Sequence, residues 1–197
     1  MNTDYKTMLI TGTTQGIGYQ LYKYYKDKYN IITINRQDIG DNNYVCDLSN
    51  MNEVRELISQ IASINVDILI NNAGGASPVH FLDMTIDELI AVSTLNYHTP
   101  ILLMQAVING MVNRGYGKII NISSIGSKSP RPLIAHYGAA KSALEKFSSS
   151  IAVAYGGTGV SVNCICPGGI NTKTSIENRK KMAELLNLEK SHFNLQM

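Results

Sequence analysis

The chain has 197 residues, 44% of them hydrophobic and only 16% charged, with a formal net charge of +2. That suits one domain over residues 1–197 with a sizeable core, and a balance this neutral, with no long basic run, excludes nucleic acid or a membrane surface as the main partner. No apolar run approaches a bilayer span and MNTDYKTMLI carries no signal-peptide pattern, so the expected location is cytoplasmic.

Short β-rich runs alternate with helical stretches. Met8–Ile10 predicts a strand, and Gln20–Lys28, with Leu21, Tyr22, Tyr24 and Tyr25, a helix. Ile31–Asn35 and Asn43–Cys46 read as strands. Met51–Ser63 places Val54, Leu57, Ile58 and Ile61 at helical spacing, with Ser49 or Asn50 as cap. Asp67–Asn71 is a continuous apolar strand. Thr85–Val112 reads as a long helical region expected to break or kink at Thr99–Pro100. Lys118–Ile122 predicts a strand, Tyr137–Tyr155 a helix and Val160–Cys166 a strand. The runs at 68–70 and 118–122 are apolar on both faces, as central parallel strands covered by helices require. The alternation predicts an α/β fold: a doubly wound parallel sheet of Rossmann type in three αβα layers. Cys46, Cys164 and Cys166 form no C-x-x-C and read as reduced, small apolar side chains, with no metal site.

Between the first strand and helix stands TGTTQGIG, residues 11–18, whose glycines do not fit G-x-G-x-x-G. Gly12 can follow the strand into a turn that a Cβ would block. Gly16 and Gly18 would keep the helix start bare, so that a pyrophosphate could approach its N–H groups and dipole. Thr13, Thr14 and Gln15 fill the longer loop. At the end of the second strand no acid is present, and Asn35 is followed by Arg36. A bidentate guanidinium suits a 2′-phosphate, which favours NADP(H) over NAD(H). A solvated surface arginine is the other reading. Asp47 either reaches an adenine amino group or caps the next helix.

HYGAAKSAL at 136–144 places Tyr137 and Lys141 one helical turn apart on one face. A nearby ammonium should lower the tyrosine pKa from its usual ~10, letting Tyr137 exchange a proton with a substrate oxygen. Ser124, thirteen residues earlier in NISSIGS, closes an apolar strand at the same edge, as do NNAGG at 71–75 and PGGINT at 167–172.

With these motifs the chain resembles the classical short-chain dehydrogenase/reductase family. TGTTQGIG, CDL, NNAG, Asn96 in TLNYH, the SSIG serine, YGAAK and PGGINT stand in family order from residue 11 to residue 172. The family's glycine pattern, T-G-x-x-x-G-x-G, accounts for the spacing. The resemblance implies that Tyr137 is the general acid in reduction and the base in oxidation. Lys141 would hold the nicotinamide ribose and lower the tyrosine pKa. Ser124 would hydrogen-bond the substrate carbonyl, and Asn96 would kink its helix and hold a water of a proton relay. Cofactor contacts would come from Gly12, Thr14, Gln15, Gly16, Ile17 and Gly18, from Asn35, Arg36, Asp47 and Leu48, and from Asn72, Ala73 and Gly74. Pro167, Gly168, Ile170 and Thr172 would position the nicotinamide. The implied activity is an NADP(H)-dependent oxidoreductase acting on a small-molecule carbonyl or alcohol. A homodimer or homotetramer through the helices at 97–113 and 137–155 goes with it. A catalytically weak or inactive NADP(H)-binding sensor or scaffold, and a lyase or isomerase on the same scaffold, are the alternatives.

One departure stands out. After PGGINT only residues 173–197 remain, expected to form a short helical tail and partial substrate lid beside the 1–172 core. Ser175 would cap that helix, with Met182, Leu185 and Leu186 on one face. The family's last strand would be missing, leaving Val160–Cys166 at an exposed edge. His136 reads as structural or substrate-lining; His80, His98 and His192 have no partners at metal-ligand spacing. Lys128 and Arg131, in SKSPRPL, fit either a solvated loop or contact with an acidic or phosphorylated substrate.

Overall fold

The short β-branched runs form one parallel sheet in a computed structural model that describes residues 5–186. In chain order the elements are β1 (Thr7–Thr11), α1 (Gly16–Tyr25), β2 (Asn30–Asn35), β3 (Asn43–Val45), α2 (Met51–Ile61), β4 (Ile68–Asn71), α3 (Ile86–Ser93), α4 (Thr99–Asn113), β5 (Gly117–Ile122), α5 (Ala135–Ala154), β6 (Val160–Ile165) and α6 (Lys173–Leu185). The strands lie in the order β3-β2-β1-β4-β5-β6, all neighbours parallel. The order reverses between β1 and β4, and a crevice opens there at the carboxyl ends of the strands.

Alternate strand residues feed two apolar layers. Leu9, Ile32, Ile34, Leu69 and Ile119 point toward α2, α4 and α5, meeting Val54, Leu57, Leu103, Met111 and Phe147. Met8, Ile10, Ile31, Ile68, Ile70 and Ile122 point the other way, where Ile17, Leu21, Tyr22 and Tyr25 of α1 cover them. The tyrosines of the first helix are thus partly packing. Burying each aliphatic side chain of this kind contributes roughly 1.5–3 kcal/mol.

Local boundaries differ from expectation where special chemistry intervenes. α1 starts at Gly16, four residues before the predicted start, because its first turn is built from glycines that apolar periodicity does not register. Asn50, through its side-chain oxygen, caps α2. The long helical region does not break at Thr99–Pro100. It widens one turn earlier, at Thr94–His98, into a single π-helical turn, and Pro100 sits in the first turn of α4, where its missing N–H is tolerated. The tail helix is capped by Thr172 and not Ser175; Thr172 Oγ1 accepts the Ser175 N–H at 3.2 Å. Residues 187–197 of the expected tail, with His192, lie outside the described residues. Among the described residues β6 is the last strand and forms the sheet's edge, with Ile165 half exposed.

Candidate active site

The first loop of the crevice is held by its neighbours and not by its own residues. Gly12 takes φ +71°, and Gly12 N–H bonds the Ile34 carbonyl at 2.9 Å. Asn35 is buried; its side-chain oxygen accepts the Thr13 N–H at 2.7 Å and its amide donates to Thr13 Oγ1 and Asn43 Oδ1. Its polar atoms therefore shape the glycine turn from beneath. Thr11 Oγ1 accepts the Asn72 and Ala73 N–H groups, while the Asn72 amide donates back to the Thr11 and Gly12 carbonyls, both at 2.9 Å. This joins the ends of β1 and β4 across the crevice.

The three glycines have different reasons. Gly16 has φ +58°, a conformation L side chains resist. A Cβ on Gly18 would lie 2.1 Å from the Gly12 carbonyl oxygen and 2.4 Å from the Asn72 amide nitrogen. Gly18 is thus required by packing inside the turn as well. α1 has no side-chain N-cap and no acid in its first turn. Its N-terminal N–H groups and positive dipole end face the crevice without a competing anion, so the loop fits a dinucleotide's pyrophosphate. Thr14 and Gln15 are exposed there.

At the rim beside it, Arg36 is exposed and Asp47 half buried. Burial pushes the Asp47 carboxyl up, but two hydrogen bonds from Ser49 and the Arg36 guanidinium outweigh this and hold it below the usual range. Asp47 is not the helix cap, since Asn50 has that role. Leu48 is buried and its carbonyl accepts the Thr99 hydroxyl at 2.9 Å.

Four chemistry-bearing side chains converge from the π-helical turn, the loop after β5 and α5. Asn96 sits in the π-helical turn, fully buried, its amide donating to the Val92 and Gly75 carbonyls and its oxygen accepting the Gly75 N–H. The wider turn turns this amide onto the loop after β4. A Cβ on Gly74 would lie 2.8 Å from Asn96 Oδ1 and 2.9 Å from Lys141 Nζ, so both side chains close on that one backbone position. Lys141 is buried on α5 and donates to the Ile122 carbonyl at 2.8 Å. Burial lowers its pKa to about 8. Tyr137 lies one turn earlier, its ring centre 5.8 Å from Lys141 Nζ. Gly126 brings Ser124 and Tyr137 together: a Cβ there would be 3.3 Å from Ser124 Oγ and 3.8 Å from the Tyr137 ring.

The tyrosine pKa runs against expectation. Burial raises it above the usual value, and only the neighbouring Ser124 hydroxyl works in the other direction. Lys141 Nζ, 5.8 Å from the ring centre, donates to the Ile122 carbonyl and not to the phenol oxygen. Tyr137 is therefore a protonated acid at neutral pH.

The remaining rim is closed by α6. Gln15 Nε2 donates to Thr174 Oγ1 at 2.9 Å, and Asn178 Nδ2 to the Ala76 carbonyl at 2.9 Å. Thr172 packs against Gly16, while Pro167, Gly168 and Ile170 form the loop leading to it. His136, next to Tyr137, is buried with Nδ1 lacking a hydrogen-bond partner; burial lowers its pKa and Glu88 works against this. Lys128 is not a free loop cation: it pairs with Glu145. Neither Glu145 nor the paired hydroxyls of Ser123 and Ser127 is evident from sequence motifs, although Glu145 lies one turn beyond Lys141 and both hydroxyls flank Ser124. Among the described residues no group of His, Cys, Asp and Glu could hold a metal ion, and no helix is long and apolar enough to cross a membrane.

A family model described as short chain dehydrogenase matches residues 6–183. The chain belongs to the short-chain dehydrogenase family. Within it, a 3-oxoacyl-[acyl-carrier-protein] reductase FabG from Rickettsia typhi is 31% identical over 193 residues, covering 92% of this chain and 79% of its own. A 4-hydroxyisoleucine dehydrogenase complexed with NADH is 28% identical, with a TM-score of 0.78 over 89% of this chain and 80% of its own. A short-chain dehydrogenase from Sphingobium yanoikuyae in complex with NADPH shares the fold, at 23% identity and a TM-score of 0.81 over 88% of this chain and 75% of its own. This short-chain dehydrogenase is thus an oxidoreductase on a six-stranded Rossmann-type sheet.

Proposed function

We propose that the protein is an NADP(H)-dependent oxidoreductase that interconverts a carbonyl and a secondary alcohol. The observation that carries the reading is the closure of Asn96, Ser124, Tyr137 and Lys141 on Gly74 and Gly126 at the crevice. The nicotinamide supplies or takes the hydride. In reduction the protonated Tyr137 phenol gives its proton to the substrate oxygen, and Ser124 donates a hydrogen bond to the same oxygen, stabilising the charge that develops there. The Lys141 ammonium, one turn away, stabilises the phenolate left behind. Asn96 orders the loop at Gly74–Gly75 that meets Lys141.

The bare α1 N-terminus takes the pyrophosphate, with Asn72, Ala73 and Gly74 along the adenosine side. Arg36, exposed beyond Asn35, supports NADP(H) over NAD(H), although one relative was solved with NADH. A 3-oxoacyl thioester is the first substrate class to try, following the FabG relatives. The free Cys46, Cys164 and Cys166 thiols support a reducing cytoplasmic setting. A homodimer or homotetramer through 97–113 and 137–155 belongs to the same proposal.

The test is titration with NADPH and NADH by cofactor fluorescence, then NADPH consumption with acetoacetyl-CoA and a panel of ketones and aldehydes. Turnover should fall at least about 100-fold in Tyr137→Phe with NADPH affinity retained, and Arg36→Ala should weaken NADPH but not NADH. Tight binding without turnover on any of them would move the reading to a cofactor sensor. Tighter NADH than NADPH binding would sink the Arg36 argument.

A further inference from the structure

Ser124 can act only if its hydroxyl is held at a fixed place beside Tyr137. The loop that carries it, residues 123–128, is short and leaves the sheet at the end of β5. Its restraint comes from successive turns of α5. Gly138 lets the Gly126 carbonyl approach so closely that a Cβ would lie 2.8 Å from it. One turn on, Ser142 Oγ donates to the Ser127 carbonyl at 2.7 Å. One turn further, Glu145 meets the loop with its carboxylate. Oε1 accepts the hydroxyls of Ser123 and Ser127, one on each flank of Ser124, and Oε2 accepts the Lys128 ammonium. Ser127 Oγ also lies 2.7 Å from the Ser124 carbonyl. The same Oε1 accepts Cys166 Sγ at 3.2 Å, from the loop after β6 that leads into Pro167 and Gly168.

We infer that Glu145 is a positioning residue for the reaction: it clamps the Ser124 loop to α5 and to the β6 loop, and so sets where the Ser124 hydroxyl stands relative to Tyr137. Tyr137, Lys141 and Glu145 recur every four residues, so one helix face carries the acid, the cation and the clamp. Three of the four donors crowd on Oε1 and one is on Oε2, so the carboxylate ties all four groups to one point. Burial works against the charge, and the hydrogen bonds from Lys128, Ser123, Ser127 and Cys166 outweigh it, so that the carboxyl pKa falls to about 2. The clamp therefore stays charged over the whole working range. The Lys128 pair alone does not explain the arrangement, because that lysine is largely exposed and such pairs contribute little. Ser123, in contrast, is buried, and without Glu145 its hydroxyl would lose its carboxylate acceptor.

This inference rests on the reading of Ser124 and Tyr137 as the reacting pair. The experiment compares the full chain with Glu145→Ala, Glu145→Gln and the double variant Ser123→Ala/Ser127→Ala. It measures kcat and KM for acetoacetyl-CoA, the NADPH dissociation constant by fluorescence, and hydrogen exchange of peptides spanning 123–128 and 86–113 without ligand. Misplacing a reacting group by about 1 Å costs on the order of 100-fold in rate. Glu145→Ala should lower kcat roughly 30- to 100-fold with KM and NADPH affinity within about threefold, and should speed exchange only at 123–128. Glu145→Gln keeps an oxygen for both hydroxyls and should return to within about threefold of the unaltered protein. If Glu145→Ala fails to fold, the double serine variant decides, since it removes the two donors and leaves the carboxylate paired. Unchanged kcat in that variant, or losses of kcat, affinity and exchange protection that move together everywhere, overturns the clamp. Absence of turnover in the unaltered protein, with Tyr137→Phe no different, would sink the oxidoreductase reading instead. The exchange comparison would then still decide whether Glu145 fixes the loop.

Discussion

Lys141 carries the pH dependence of the site. A free lysine titrates near ~10.4, and burial brings this one to about 8. Below pH 8 the ammonium persists in the fold at a desolvation cost. Between about 8 and about 10.4 the unfolded chain holds a proton that the folded chain has lost, so the lysine's contribution to stability rises with pH across that window. Function runs the other way. As pH climbs through about 8 the charge that stabilises the Tyr137 phenolate disappears, so kcat for reduction should be flat from pH 6 to 7.5 and fall above 8. Lys141→Met should be slow throughout and show no break there. A flat profile to pH 9.5 in the unaltered protein would contradict the assignment. Gly18 is constrained by its neighbours in the turn. Its added Cβ would meet backbone oxygen and the Asn72 amide, neither free to move, so Gly18→Ala should cost more than the ~1–3 kcal/mol of ordinary overpacking. Thermal unfolding of the cofactor-free protein should show it. Loss of NADPH affinity at an unchanged melting temperature would show instead that this glycine serves the ligand alone.

Elements were legible in the sequence where a single periodicity governed them. The strands 68–71 and 117–122 read directly as apolar runs, because central parallel strands have no polar face to confuse the pattern. The α1 start was not, since it depends on glycine dihedrals. Periodicity misplaced the helix irregularity at Thr99–Pro100, because the π-helical turn depends on the Asn96 side chain reaching back to Val92 and across to Gly75, where only the family resemblance implied a kink. Motif spacing named Asn96, Ser124, Tyr137 and Lys141; the hydrogen bonds of Glu145 depend on the β5 and β6 loops meeting, which no local pattern encodes. α6 illustrates the same limit, for its helix was expected but its Thr172 cap and its two straps were not. Thr172→Ala removes the cap and should cost about 1 kcal/mol of helix stability. Because the helix is an appendage to the sheet, that loss should appear as faster proteolysis after residue 173 and faster exchange over 173–185, with the main unfolding midpoint unmoved. A drop in that midpoint would show α6 to be part of the cooperative core.

At the scale of the molecule, the sheet is bounded by β6, whose partner-free side among the described residues is its weak point. Polar Ser161 and Asn163 alternate with Val160 and Val162 along it, which keeps one face wettable and blunts edge pairing. The larger exposed apolar surface lies elsewhere, on helices flanking the crevice. Ile86, Leu89 and Ile90 of α3, with Phe81 and Leu82 before it, are all substantially exposed, and Val153 of α5 is 84% exposed. Exposed apolar clusters of this kind commonly mark protein contacts. Self-association through the helices at 97–113 and 137–155 is the arrangement proposed for this chain. Sedimentation equilibrium should then give a dimer or tetramer at micromolar concentration, and Val153→Glu should shift it toward monomer while leaving the melting of the sheet largely intact, since that side chain is not part of either apolar layer. If the unaltered protein sediments as a stable monomer, the helices 97–113 and 137–155 do not associate, and the exposed α3 residues must be explained by the mouth of the site they border.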